Sequence, residues 1–148
     1  MSVTPDLLLY MIEQNKLTCS FSFDKISQEN LSWRLNPKTA SIGFVYRHIG
    51  ETMNLFGYFF GVPPTIPNTT MGQEDMGQTF DLEESKGYVS MGFDMLENLV
   101  KTKPESDWSR PVDTPFFGAV PEMRLFSHIL FHNSHHAGQI SLILSRGS

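Results

Sequence analysis

The feature that most constrains this chain is the spacing of its apolar residues. They recur three and four positions apart through four separate stretches, and sustained alternation of the strand type appears nowhere. Two regions rich in glycine, proline and small polar residues, Gly61 to Gln78 and Lys103 to Pro121, separate the later stretches. Pro63, Pro64 and Pro67 fall in the first region and four prolines in the second, so both read as long loops. Helical spacing in long segments with long connections predicts an all-α chain, a four-helix bundle rather than a small orthogonal fold.

Local signals set approximate boundaries. Thr4 is a good N-cap with Pro5 at the first helical position, and the helix that follows carries Leu7, Leu8, Met11 and Ile12 along one side to about Ser20. A connection through Ser27 to Pro37 leads into a second helix near Thr39, with Ile42, Val45, Ile49, Met53 and Phe56 at helical spacing. The third helix spans Asp81 to Thr102, opens on an Asp81 and Glu84 pair spaced like a capping box, and carries Tyr88, Met91, Met95, Leu96 and Leu99. Met91 and Met95 read as core rather than as a cofactor box. The fourth helix runs from about Ala119 to Ser145.

At 148 residues the chain has the length of one domain, residues 1–148, with a single core. Its formal charge is -5, and its eleven lysines and arginines are scattered, so the basic stripe that nucleic-acid binding needs is missing. No apolar run approaches the roughly 20 residues of a membrane-spanning helix. Met1 to Tyr10 has no basic side chain, unlike a secretory signal, and the single cysteine, Cys19, fits a reducing compartment. The expectation is a cytoplasmic protein without nucleic-acid or membrane partners.

Four of the five histidines, His128, His132, His135 and His136, crowd into the last helix. At about 100° per residue, Leu125, Ile129, His132, His136, Ile140 and Ile143 share a stripe roughly 80° wide, with His128 and His135 on its flank. Two imidazoles at i and i+4 can reach one ion at about 2.0 to 2.1 Å. His128 lies roughly 12 Å along the axis from His136 and cannot join both. The remaining imidazole is His48, which shares a face of the second helix with Phe44, Thr52, Leu55 and Phe59. The apolar stripe centred on Ile49 lies about 100° away, so the wheel alone leaves the direction of His48 open. Three buried imidazoles without partners would be costly, and a shared divalent ion with an open fourth position is the more economical account.

The segment His132-Asn133-Ser134-His135-His136-Ala137-Gly138-Gln139-Ile140 resembles the last-helix signature of the DinB/YfiT-like proteins. Ser41-Ile42-Gly43 followed by Tyr46-Arg47-His48-Ile49 is similar to the second helix of that family, and Trp33 and Pro37 fit loosely. These matches cover about a third of the chain. The resemblance implies an up-down-down-up four-helix bundle with a zinc or nickel site at His48, His132 and His136. Gly138 and Gln139 match the end of the motif; Gly138 would let a neighbouring helix approach closely. No catalytic role attaches to Gln139. Ala137 departs from the family pattern, in which a basic residue is frequent, and this puts an anionic-substrate contact there in doubt.

Two functional classes follow from the resemblance. One is a metal-dependent enzyme, a thiol-dependent S-transferase or a hydrolase acting on a small molecule, in which a low-molecular-weight thiol or water supplies the nucleophile. The other is a non-catalytic, stress-associated metal-binding homodimer. Cys19 reads as a buried structural cysteine rather than the source of the thiol. Glu51 reads as part of a solvated face, and Thr52 as bonded to the carbonyl four residues back in its own helix.

Overall fold

Thr4 Oγ1 accepts the Leu7 amide at 3.3 Å and Pro5 occupies the first turn, and together they open helix α1 (Pro5–Phe23). The computed structural model describes residues 4–148, which are mostly helical with one small antiparallel sheet. Leu8, Ile12 and Cys19 face inward from α1, whereas Leu7 lies on the opposite, exposed face with Tyr10, Leu17 and Phe21. The helix is thus apolar on two sides.

Helix α2 (Ile42–Phe56) starts three residues after Thr39. Thr39 instead closes a turn onto Asn36, donating both its amide and its hydroxyl to the Asn36 carbonyl. Ser41 takes the cap, its Oγ accepting the Phe44 amide at 3.2 Å, while its own amide donates to Asp75 at 2.8 Å. After α2 a short 3-10 turn, Gly57–Phe60, ends at Gly61, whose φ of 81° is left-handed and suits glycine. Helix α3 (Leu82–Thr102) is capped by Asp81, which accepts the Glu84 amide at 2.7 Å. The Glu84 side chain does not complete the box; it pairs with the buried Arg47 at 2.6 Å.

The expectation of a strand-free chain fails in the second loop. Strand β1 (Pro111–Thr114) pairs antiparallel with β2 (Gly118–Pro121), Val112 opposite Val120. Four-residue strands are too short to leave visible alternation. The hairpin takes the residues expected to start the last helix, so α4 (Glu122–Arg146) begins three residues after Ala119. Pro121 provides no side-chain cap, and buried Glu122 supplies the negative charge that the helix start favours. Arg110 reaches Glu122 Oε1 at 2.8 Å and Lys103 reaches Oε2 at 2.8 Å, which joins the hairpin and the end of α3 to the start of α4.

Helix α2 packs against α3 and α4, and α1 against α4 and α3. The shared core includes Leu8 and Ile12 from α1, Ile49 and Met53 from α2, Phe93 and Leu96 from α3, and Phe126, Ile129 and Ile140 from α4. Helices α2 and α3 meet through glycine: a Cβ on Gly50 would lie 2.8 Å from Tyr88 Cβ, and one on Gly92 2.7 Å from Met53 Cβ. Met91 faces outward, 43% exposed, and only Met95 of the expected pair packs against the core. The loop before α3 covers the outer side of α2 through Thr69, Thr70, Asp75 and Phe80, so α2 is buried nearly all round. Among the described residues no helix is long and apolar enough to cross a membrane.

Candidate metal centre

The buried line of α4 runs through Leu125, Phe126, Ile129, Leu130, Asn133, Ala137 and Ile140. It is rotated from the stripe expected on the wheel, and His132 and His136 lie half-buried at its edge, on the side facing α2. On that line sits Asn133, which polarity alone would place outside. Asn133 is fully buried and donates to Asn15 Oδ1 at 3.1 Å, while Asn15 Nδ2 donates to the Leu130 carbonyl and to Ser134 Oγ. This polar contact between α1 and α4 was legible only in the position of Asn133, four residues after Ile129.

Across the α2–α4 contact His48 meets the pair. His48 Nε2 lies 3.0 Å from His132 Nε2, and the ring centroids are 4.9 Å apart for His48 and His132, 4.8 Å for His48 and His136, and 4.4 Å for His132 and His136. Each residue offers one ring nitrogen, and the three lie within 4.8 Å of one another. Bonds of about 2.0 to 2.1 Å in a tetrahedron separate the ligand nitrogens by about 3.3 Å, so the cluster has the dimensions of a metal site. The open direction of the His48 ring is thereby resolved toward α4.

The outer ring nitrogens differ in their surroundings. His136 Nδ1 lies 2.6 Å from Gln139 Oε1, an acceptor, so Nδ1 donates and Nε2 keeps its lone pair. His48 Nδ1 lies 3.3 Å from Thr70 Oγ1 and 3.5 Å from Thr52 Oγ1. His132 Nδ1 is buried with no hydrogen-bond partner, so this ring gains polar compensation only on the side facing the other two imidazoles. Three imidazoles as the donor set fit a borderline-soft divalent ion; held through Nε2, such an ion would leave His132 Nδ1 as the one outer nitrogen of the three without an acceptor.

Burial keeps the cluster neutral. It lowers the His48 pKa to about 4, with the nearby His136 adding to the effect and Glu51 opposing it. For His132 burial, followed by His136, His48, His128 and His135, lowers the value to about 2. His136 is lowered by burial, against an upward pull from Gln139 and with a further lowering from His135. Neutral imidazole is the ligating form, and at pH 7 none of the three has to lose a proton before binding.

The remaining candidates sort as follows. His128 stays outside the cluster: its ring stacks on Phe56 at 5.9 Å, meets Phe117 edge-on at 4.8 Å and lies 6.0 Å from the His132 ring. His135 is exposed beside His136. Glu51 is not on a solvated face; it is fully buried, its carboxylate taken up by Thr69 and Thr70. The side-chain contact of Thr52 is with the His48 ring, its Oγ1 lying 3.5 Å from Nδ1, rather than with its own helix's carbonyl. Gly138 is exposed, and a Cβ there would meet nothing within 4 Å, so close helix approach is not its role. Cys19 is buried, as the sequence indicates, and burial pushes its thiol up to about 11.

Comparison with curated proteins gives no match. A family model does match, over residues 19–140, a span that holds α2, α3 and all three clustered histidines. With most of the chain covered and the helices in this order, the protein belongs to the DinB superfamily.

Proposed function

We propose that His48, His132 and His136 bind one divalent ion, zinc or nickel, in a single-domain four-helix bundle of the DinB/YfiT-like type, and that the protein is a metal-dependent enzyme, a thiol-dependent S-transferase or a hydrolase. The observation that carries this reading is the meeting of three neutral imidazoles from α2 and α4, each offering a nitrogen within 4.8 Å of the others. A bound ion would supply Lewis acidity that lowers the pKa of a thiol or of water. The chain's own residues hold the geometry. Gln139 accepts from His136 Nδ1 and turns Nε2 inward, and the packing of His132 against both neighbours fixes the third ring.

All three rings are half-buried rather than sealed, which supports access by a small molecule. Beside them Phe116 and Phe117, 50% and 39% exposed at the hairpin tip, approach Phe56 and His128 and offer an apolar surface for the body of an electrophile. No nucleophile from the protein is required, and Cys19, buried and held protonated, is unsuited to that part. A free cysteine in α1 accords with a cytoplasmic setting. The exposed stripe of Leu7, Tyr10, Leu17 and Phe21 on α1 favours a homodimer, because such a contiguous apolar face gains from burial against a second copy.

The test is consumption of low-molecular-weight thiols with a panel of small electrophiles, alongside ester and amide hydrolysis, by protein loaded with zinc or nickel. Turnover that is lost in His48→Ala and His132→Ala supports the enzyme. Bound metal without turnover across the panel favours the non-catalytic, stress-associated reading.

A further inference from the structure

Glu51 sits in the middle of α2, one helical turn after His48, and is 0% exposed. A buried carboxylate is expensive unless its oxygens are fully engaged. Its oxygens accept from the Thr69 amide at 2.8 Å, the Thr69 hydroxyl at 2.6 Å, the Thr70 amide at 3.0 Å and the Thr70 hydroxyl at 2.7 Å. Anchoring the loop would need only the amides and Thr69. The Thr70 hydroxyl does more, because the same oxygen faces His48 Nδ1 at 3.3 Å.

A threonine hydroxyl carries one hydrogen. With that hydrogen given to Glu51, Thr70 Oγ1 has only lone pairs for His48, and it can engage Nδ1 only if Nδ1 carries the ring proton; Thr52 Oγ1, farther off at 3.5 Å, then faces that proton as a second acceptor. Thr70 is 2% exposed, so water does not readily replace it. The proton on Nδ1 leaves the lone pair on Nε2, the nitrogen that faces His132 Nε2 at 3.0 Å. We propose that Glu51, acting through Thr70, is a positioning group that fixes the tautomer of His48 and presents its Nε2 to the centre. Carboxylate, hydroxyl and imidazole form one directed chain from the buried middle of α2, and the loop before α3 becomes part of the site. The consequence for metal affinity rests on the proposed ligand role of His48; the tautomer does not.

The experiment compares wild type with Thr70→Val, which removes the hydroxyl at nearly constant volume, and Thr70→Ser, which restores it. The ring tautomer of His48 is read in metal-free protein by long-range nitrogen–proton NMR, and zinc affinity by competition with a chromophoric chelator. Thermal melting of each variant shows that it is folded. Wild type and Thr70→Ser should hold the proton on Nδ1 and bind zinc alike, while Thr70→Val mixes the tautomers and binds about 10- to 100-fold more weakly. A wild-type His48 protonated on Nε2, or equal zinc affinity in folded Thr70→Val, overturns the proposal and leaves the metal reading standing. If wild type takes up no zinc, the metal reading fails, and the tautomer measurement alone decides the role of Thr70: Nδ1–H supports it and Nε2–H overturns it.

Discussion

Replacing Gly92 with alanine should destabilise the protein, although alanine is the better helix former. In the middle of α3 the new Cβ would lie 2.7 Å from Met53 Cβ and 3.0 Å from Met53 Cε. The first of these atoms is fixed to the backbone of α2 and cannot swing away. An ordinary carbon contact is about 3.5 to 4.0 Å, so α2 and α3 must part locally by up to about 1 Å. Overpacking of this kind costs about 1 to 3 kcal/mol, against about 0.4 to 1 kcal/mol returned by reduced freedom of the unfolded chain. A net loss of about 0.5 to 2 kcal/mol corresponds to a fall in Tm of about 2 to 6 °C in a chain this size. Gly87→Ala, five residues earlier on the same helix with nothing within 4 Å of its Cβ, should instead raise Tm by about 1 to 3 °C. Melting followed by circular dichroism reads both. A Gly92→Ala variant as stable as Gly87→Ala would refute the close approach of α2 and α3.

Two further outcomes follow from the buried ionisable groups. His48 and His132 have folded-state pKa values below the ordinary 6.5, so between those values the unfolded chain binds more protons than the folded one. Metal-free protein should therefore lose stability as pH falls from 6.5 toward 4, by urea denaturation, and His132→Leu should flatten that dependence; an unchanged slope would contradict the burial of the cluster. Carboxylates such as Asp75, also lowered but from 3.8, act at lower pH still. Cys19, buried with its thiol near 11, should resist iodoacetamide at pH 8 in native protein and react rapidly in urea; fast native labelling would show that α1 opens readily.

Helix existence was legible because α1, α3 and α4 carry long apolar periods and, at Thr4 and Asp81, caps that hold in the structure. The start of α2 was not, since Thr39 and Ser41 are both good caps and only the Asn36 turn and the Asp75 contact choose between them. The hairpin left no periodic signal, its strands being four residues each, and its turn closes at Gly118 with a left-handed φ of 65°. His132 and His136 were legible from their spacing, whereas His48 was only the remaining imidazole, its direction left open by the wheel and its place in the set implied by the resemblance. Their setting was not legible: a wheel counts Glu51 as polar and outward, and only the loop folding back over α2 buries it. The burial of Asn133 likewise depends on a partner, Asn15, that lies on a different helix.

The most direct test of the three-histidine centre is the metal content of protein purified without metal-affinity resin, beside His48→Ala, His132→Ala, His136→Ala and His128→Ala. Near-stoichiometric zinc or nickel in wild type and His128→Ala, lost in the other three, is the predicted result. A folded wild type that neither carries nor takes up a divalent ion, or a His128→Ala variant as depleted as His132→Ala, would contradict it.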